Sequence, residues 1–326
     1  MHLVSTAVTA LVTAHALLLP SLAHAQAWPT KPIRILSGTP VGNSGDTVMR
    51  MTIPAMSAAL GQPLVIEARP AASGTAAAVA IKTSPPDGYN LLFVSSSTMV
   101  NAFLLMKSVT FDSRKDFTPI TEVMNNPSLF AVSSALPVNS VKEFIEYAKK
   151  NPGRIAYGST GVGTSFHLLG EMFAAENGIQ MLHIPYTGAM AIPVGDLAND
   201  RLQLFWPSLT SISPVLASGK VKILAIVDKV PLKALPNVPT IYKDLPDYTL
   251  IKGWFGLFGP AGLPTPIVSR LQTEFRKAVS PPDVMAKLEG LGIAGVGSTP
   301  QEFSAMVTEQ LDRVEKVVRE LKIEPQ

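Results

Sequence analysis

Tyr157-Gly158-Ser159-Thr160-Gly161-Val162-Gly163-Thr164-Ser165, with the amphipathic run Phe166 to Asn177 directly behind it, is the stretch around which the chain is organised. Ile155 to Tyr157 suit the end of a buried strand, the glycines let backbone N–H groups crowd together, and Thr164 or Ser165 is placed to cap a helix. Strand, glycine turn and helix in that order make an anion seat. Free N–H groups at a helix N-terminus carry partial positive charge and hold a carboxylate or phosphate without Lys or Arg. A second stretch near the start has the same logic: Ile33 to Ser37 as strand, Gly38-Thr39-Pro40-Val41-Gly42-Asn43-Ser44-Gly45-Asp46 as turn, and the residues up to Leu60 as helix. Two such turns point to one ligand held between two lobes.

The chain has 326 residues, 47% hydrophobic and 16% charged, enough for a sizeable core and for two lobes. Residues Met1 to Ala25 hold an apolar run from Ala7 to Leu19 and end in Ala23-His24-Ala25, a small-x-small pattern that predicts cleavage before Gln26 and export. The departure is a start that carries His2 but no Lys or Arg. No later segment has the ~18 consecutive apolar residues that a membrane span needs, so the mature chain is expected to be soluble. Zero cysteines exclude a disulfide, a thiolate metal site, a cysteine nucleophile and an acylated tether. The net charge of +3 comes from 27 basic and 24 acidic residues with no basic run, which leaves no nucleic-acid footprint.

Strands and helices alternate along the chain. After the first turn and helix come a strand Leu64 to Glu67, a small-residue helix from Thr75 to Thr83, the turn Pro85-Pro86-Asp87-Gly88-Tyr89, and a strand Asn90 to Val94. That strand ends in Ser95-Ser96-Ser97-Thr98. Hydroxyls at a strand's carboxyl end either reach a ligand cleft or stand as solvated loop residues, and Ser96 is the candidate taken from this group. Phe117 to Val123 and Leu129 to Ser133 read as strands about Asn125-Asn126-Pro127, where the chain is expected to cross between lobes. It returns near Trp254 to Gly259. The organisation predicted is a signal peptide over 1–25, one lobe from 26–125 plus 250–326, and the other from 126–249. Ile267, Leu271, Phe275 and Val279, then Phe303, Val307, Leu311, Val314, Val318 and Leu321, recur on single helix faces as core stripes. Neither helix shows a second apolar face, and a monomer is expected.

Chemistry-bearing constellations are scarce. After export only His167 and His183 remain of the five histidines, which excludes a multi-histidine metal site. His167 lies on the first turn behind the central loop, where it either touches a ligand or makes a structural hydrogen bond. Neither a Gly-x-Ser-x-Gly elbow, a Ser-x-x-Lys pair nor a phosphate-cradling Gly-x4-Gly-Lys-Ser/Thr loop occurs, and Gly161-Val162-Gly163 lacks the third glycine of a dinucleotide fingerprint. Asp46, Asp87, Glu171 and Asp196 are the permissive candidates for paired-carboxylate chemistry of the glycosidase kind; Asp46 and Asp196 read as capping or solvated, Asp87 as a turn residue. A site of N–H groups, hydroxyls and aromatics binds but has no base to move a proton, so no enzyme activity and no cofactor are expected. Tyr186 and Trp206, each at a strand's carboxyl end, read either as ligand platforms or as packing residues, and Ser208 follows Trp206.

Six segments in order resemble one family. They are Trp28-Pro29-x-Lys31-Pro32-Ile33-Arg34-Ile35, Gly61-Gln62-Pro63-Leu64-Val65-x-Glu67-x-Arg69-Pro70, Pro85-Pro86-Asp87-Gly88-Tyr89, Tyr157-Gly158-Ser159 through Gly161, Gly163 and His167-Leu168, His183-Ile184-Pro185-Tyr186-x-Gly188, and Leu235-Pro236-x-Val238-Pro239-Thr240. From Trp28 almost to the C-terminus the chain is similar to the Bug-type solute-binding proteins of tripartite tricarboxylate transporters. The resemblance implies an α/β, type II-like periplasmic binding protein, each lobe a mixed, mostly parallel sheet flanked by helices, with the ligand cleft between. It implies capture of a small carboxylate and transient delivery to a two-subunit membrane permease.

Carried over by position, the resemblance places the ligand carboxylate on the loop Gly38, Thr39, Val41, Gly42, Asn43, Ser44 and on the loop Ser159, Thr160, Gly163, Thr164. The first loop departs from the family's Pro-Phe/Tyr-Pro-x-Gly-Gly, losing an aromatic wall. Trp206-Pro207-Ser208 stands where an Asp is common. These departures lead to the expectation of an aromatic carboxylate stacked on Trp206 or Tyr186, a dicarboxylate such as terephthalate placing one carboxylate on each loop. Citrate or another aliphatic acid is the alternative ligand, and a ligand-presenting sensor or an exported hydrolase the alternative role.

Overall fold

The computed structural model describes residues 28–161, 164–186, 190–320 and 323–324. The export segment expected in 1–25 lies outside the described residues, as does Gly163.

The first lobe begins with strand β1 (Ile33–Ser37), helix α1 (Ser44–Leu60), strand β2 (Leu64–Ala68), helix α2 (Thr75–Lys82) and strand β3 (Asn90–Ser95). β1 pairs in parallel with β2 on one side and β3 on the other. A π-helical turn, Ser97–Ala102, follows β3 where hydroxyl-rich loop was expected. Strand β4 (Phe117–Asn125) leads across to the second lobe: β5 (Ser128–Ser133), α3 (Val141–Lys150), β6 (Ile155–Ser159), α4 (Ser165–Asn177), β7 (Met181–Pro185), α5 (Ala191–Ala198), β8 (Leu204–Phe205), α6 (Leu209–Leu216) and β9 (Val221–Val227). The chain then returns as β10 (Trp254–Pro260), α7 (Thr265–Val279), α8 (Pro282–Gly290), β11 (Ala294–Gly295) and α9 (Pro300–Glu320).

Two mixed sheets result, ordered β11-β4-β10-β3-β1-β2 and β7-β6-β8-β5-β9. Most strands of each run one way, with β10 and β11 reversed in the first and β5 in the second. Helices cover both faces, so the strands read as continuous apolar runs rather than alternating ones. β10 is buried at every position, and Leu91 to Val94 of β3 are each 0% exposed. The core of the second lobe is aromatic: Phe130, Phe144, Phe173 and Trp206 meet at centroid separations of 5.0 to 6.2 Å.

The crossings lie side by side. Asn126 N–H donates to Gly253 O at 2.9 Å, and Asn125 Nδ2 donates to Asp228 Oδ2 at 2.6 Å. Helix α9 straps the returning strand, where Gln310 accepts the Trp254 indole N–H at 2.9 Å and Arg313 donates to Leu250 O. Among the described residues, no helix is long and apolar enough to cross a membrane.

Candidate functional site

Parallel strands bring their carboxyl ends, and the loops that follow them, to one edge of a sheet. Here β1, β3, β6 and β8 all end at the groove between the lobes. The groove has two adjoining chambers, of about 630 and 250 Å3, within the usual size range of small-molecule sites. Asn126, Ser128, Phe166 and Phe255 line both. The larger chamber is closed by Gly42, Asn43, Ser44 and Thr47 from the first lobe and by Ser208, Thr210 and Ser211 from the second. Ser95, Ser96 and Ser97 face Thr160, Thr164 and Ser165 across the smaller one. Among the described residues, the side chains lining the two chambers include no Lys, Arg, His, Asp or Glu.

The positive character comes instead from helix ends. Asn43 is the N-cap of α1, its side chain accepting Asp46 N–H at 2.8 Å, which leaves the N–H groups of Ser44 and Gly45 with no carbonyl four residues back inside the helix. At α4 the expected cap does not form. Thr164 is the N-cap residue, but its hydroxyl donates to Gly161 O at 2.7 Å and makes no cap bond to the helix. At α6, Ser208 turns its hydroxyl to those of Thr210 and Ser211, each at 2.9 Å, and again makes no cap bond. Three helix N-termini from two lobes thus present backbone donors to an uncharged groove, the arrangement that favours an anion.

The candidate residues divide. Gly42, Asn43, Ser44, Ser96, Thr160, Thr164 and Ser208 line the chambers. The Gly42 N–H is already engaged, donating to Asp46 Oδ2 at 2.8 Å. Burial works to raise the Asp46 carboxyl, but Arg50 at 2.8 Å and this N–H outweigh it and hold it below the ordinary range, so Asp46 fixes the loop.

Gly38, Thr39, Val41, Ser159, His167, Tyr186 and Trp206 do not line the groove. Gly38 is pressed against Val94 and Gly74, and a Cβ there would lie 2.7 Å from Val94. Thr39 is buried and bonded to Ser37 Oγ at 2.9 Å, while Val41 points to solvent, 67% exposed. Ser159 is 0% exposed; its hydroxyl bonds His183 Nε2 at 2.6 Å and accepts Gly161 N–H, which braces the second loop from behind. His167 stacks near His183, ring centroids 4.4 Å apart. Burial, with His167 adjacent, pushes the His183 pKa down to about 4, and burial lowers His167 also. Tyr186 is spent on packing: its hydroxyl donates to Asp196 at 2.9 Å, and burial together with that bond pushes its pKa up to about 12.

The expected stacking on Trp206 is corrected by the fold. Trp206 follows β8 in a sheet covered on both faces, so consecutive residues point into opposite cores. Phe205 faces Phe166, and Trp206 is swallowed by the Phe130, Tyr157 and Phe173 cluster at 0% exposure. Its indole N–H finds no partner among the described residues. Phe166 and Phe255 present aromatic rings to both chambers, and Trp254 lines the smaller one. Phe166 stood next to Ser165 in the organising stretch, and Phe255 in the returning strand, with only their neighbours to mark them. Asn126 and Ser128, in the crossing, were likewise missed.

Ser165 ties the lobes together. Its hydroxyl, on α4, accepts from Asn101 Nδ2 at 2.6 Å and bonds Ser97 Oγ at 3.0 Å, both from the π-helical turn of the other lobe. Asn101 is 2% exposed, and its Oδ1 has no partner among the described residues.

Two α/β lobes joined by adjacent crossings, with loop hydroxyls and helix N-termini facing one groove, define a two-lobed solute-binding protein. The chain belongs to the family described as "Tripartite tricarboxylate transporter family receptor", whose model matches residues 48–323. It is 28% identical over 298 residues to protein BugT of Bordetella pertussis, with 91% of each chain covered. Among solved structures it is similar to an R. palustris protein with adipate (30% identity, TM-score 0.77, 92% of this chain and 100% of that one). It is also similar to MatC from Rhodopseudomonas palustris with bound malate (26% identity, TM-score 0.73, 89% of this chain and 100% of that one). The family is one of periplasmic solute-binding proteins.

Proposed function

We propose that this protein is exported to the periplasm, captures a small carboxylate between its lobes and hands it to a two-subunit permease of the tripartite tricarboxylate type, acting as a monomer without catalysis or cofactor. The observation that carries this reading is the interlobe groove, without charged side chains among the described residues, at which the N-termini of α1, α4 and α6 meet, the last two without a cap bond from their N-cap side chains. A carboxylate there is held by fixed dipoles and replaces its hydration shell with backbone donors. The favoured ligand is an aromatic dicarboxylate such as terephthalate, since rings line the groove and two chambers can take two carboxylates. An aliphatic carboxylate is the second reading, favoured by the adipate in the similar R. palustris protein.

Closure follows from the same geometry. A ligand that touches groups on both lobes stabilises the state in which they meet, so the ligand-free protein is the more open one. The test is a thermal-shift screen of refolded, ligand-stripped protein against aromatic and aliphatic mono-, di- and tricarboxylates. A ligand at about 100 times its Kd adds roughly 2.7 kcal/mol to stability. A raised midpoint with carboxylates and not with sugars or amines is the expected result; no response to any carboxylate would overturn the reading.

A further inference from the structure

Phe166 and Phe255 reach the groove from opposite lobes and border both chambers. Each is tied to one helix N-terminus. Phe166 is the second residue of α4, its ring 5.4 Å from that of Phe205 at 50°. Phe255 lies against the first turn of α1 so closely that a Cβ on Gly45 would stand 2.7 Å from its ring, and it stacks on Phe93 at 5.8 Å and 23°. Phe255 is therefore held, 9% exposed, while Phe166 is half-buried. Asn126 and Ser128 border both chambers beside these rings, and the other polar groups divide: Ser44 and Ser208 line the larger chamber, Ser97 and Thr164 the smaller.

We infer that Phe166 and Phe255 set the ligand class: together they grip the hydrocarbon spacer of a dicarboxylate whose two carboxylates occupy the two chambers. This rests on the carboxylate reading above and narrows it. A ring or a methylene chain lies between the phenyl faces without giving up a water-bonded group, and an aromatic spacer adds offset stacking. A hydroxy acid is disfavoured at the same place. Malate brings a hydroxyl, and citrate a hydroxyl and a third carboxylate, against the two phenyl faces, where Asn126 and Ser128 are the polar side chains shared by both chambers and no cationic side chain among the described residues lines the groove to compensate the lost water.

The test is calorimetric titration of ligand-stripped wild type, Phe166→Ala and Phe255→Leu with terephthalate, adipate, malate and citrate. Wild type is expected to bind terephthalate or adipate at least about tenfold more tightly than malate or citrate, and Phe166→Ala to lose on the order of tenfold for the spacer diacids alone. Phe255→Leu keeps an apolar wall but no ring face, and is expected to weaken terephthalate more than adipate. Because Phe166 is half-buried, its variant decides the matter even if Phe255→Leu fails to fold. Equal wild-type affinity for malate or citrate overturns the inference, as does a Phe166→Ala variant that weakens all four ligands equally or none. If wild type binds none of the four, the carboxylate reading itself falls.

Discussion

Removing the Asn101 carboxamide tests whether the contact at Ser165 holds the lobes shut. In wild type Asn101 Nδ2 donates to Ser165 Oγ at 2.6 Å across the groove, beside the Ser97–Ser165 bond at 3.0 Å. Asn101 does not line either chamber, so Asn101→Ala leaves the ligand's own contacts in place. A buried neutral hydrogen bond contributes a net ~0.5–1.5 kcal/mol, which corresponds to a factor of about 2–12 in the closed-to-open ratio. Part of the loss is offset, because the substitution also removes the unpartnered Oδ1. Where the closed form is the minor one without ligand, apparent affinity falls by the same factor as its population. The assay pairs small-angle scattering of the ligand-free protein with calorimetry, using whichever of terephthalate and adipate gives the larger thermal shift. Asn101→Ala is expected to match or exceed the wild-type radius without ligand, to reach the wild-type radius at saturation, and to bind several-fold more weakly. Adding Ser97→Ala should weaken binding further, partly through the smaller chamber that Ser97 lines. Unchanged scattering and affinities within about twofold would refute the latch and leave closure to the ligand alone.

Other perturbations probe the frame around the groove. Glu122 is 5% exposed with Lys252 Nζ at 2.6 Å, and burial pushes its carboxyl pKa up despite that partner. Lys252→Met should therefore cost about 3–5 kcal/mol in urea unfolding, and the double variant with Glu122→Gln should recover most of it; an undisturbed single variant would deny the pair its role. His183 and His167 both have pKa values lowered by burial from 6.5, His183 to about 4, so the unfolded chain binds the extra protons. Their contribution to stability is complete above pH 6.5 and is lost as pH falls towards 4, and His183→Gln should flatten this slope in urea midpoints measured from about pH 8 to 4. An identical slope in the variant would assign the acid sensitivity elsewhere. Gly170 on α4 leaves no room for a methyl, since a Cβ would fall 2.1 Å from the Tyr157 ring. Gly170→Ala gains at most ~1 kcal/mol of helix propensity against ~1–3 kcal/mol of overpacking, so a lowered melting midpoint is expected and a raised one contradicts the close contact.

The sequence by itself determined the α/β class, the two-lobed build and the two strand-turn-helix units. Those features are written in local patterns. Apolar runs of strand length, glycine turns and residues recurring at three and four positions each report on a few consecutive residues. The helices Leu209–Leu216 and Pro282–Gly290 were not legible, because Pro214 and Pro282 mask the pattern and few of their residues are buried. Which hydroxyls and rings meet was not legible either. Ser44 and Ser208, or Phe166 and Phe255, are far apart in the chain, and their approach depends on how two sheets place their carboxyl edges.

Tertiary structure alone decided the aromatic question. A Trp at a strand end has the same sequence signature whether it faces ligand or core, and the choice falls to the layers packed on that sheet. Helices cover both faces of the second sheet, so Trp206 entered the core. At α4 the sequence likewise allowed Thr164 to cap the helix, but the fold turned its hydroxyl to Gly161 instead. Local propensity names the groups capable of binding. Only packing, which is non-local, settles which of them face the groove.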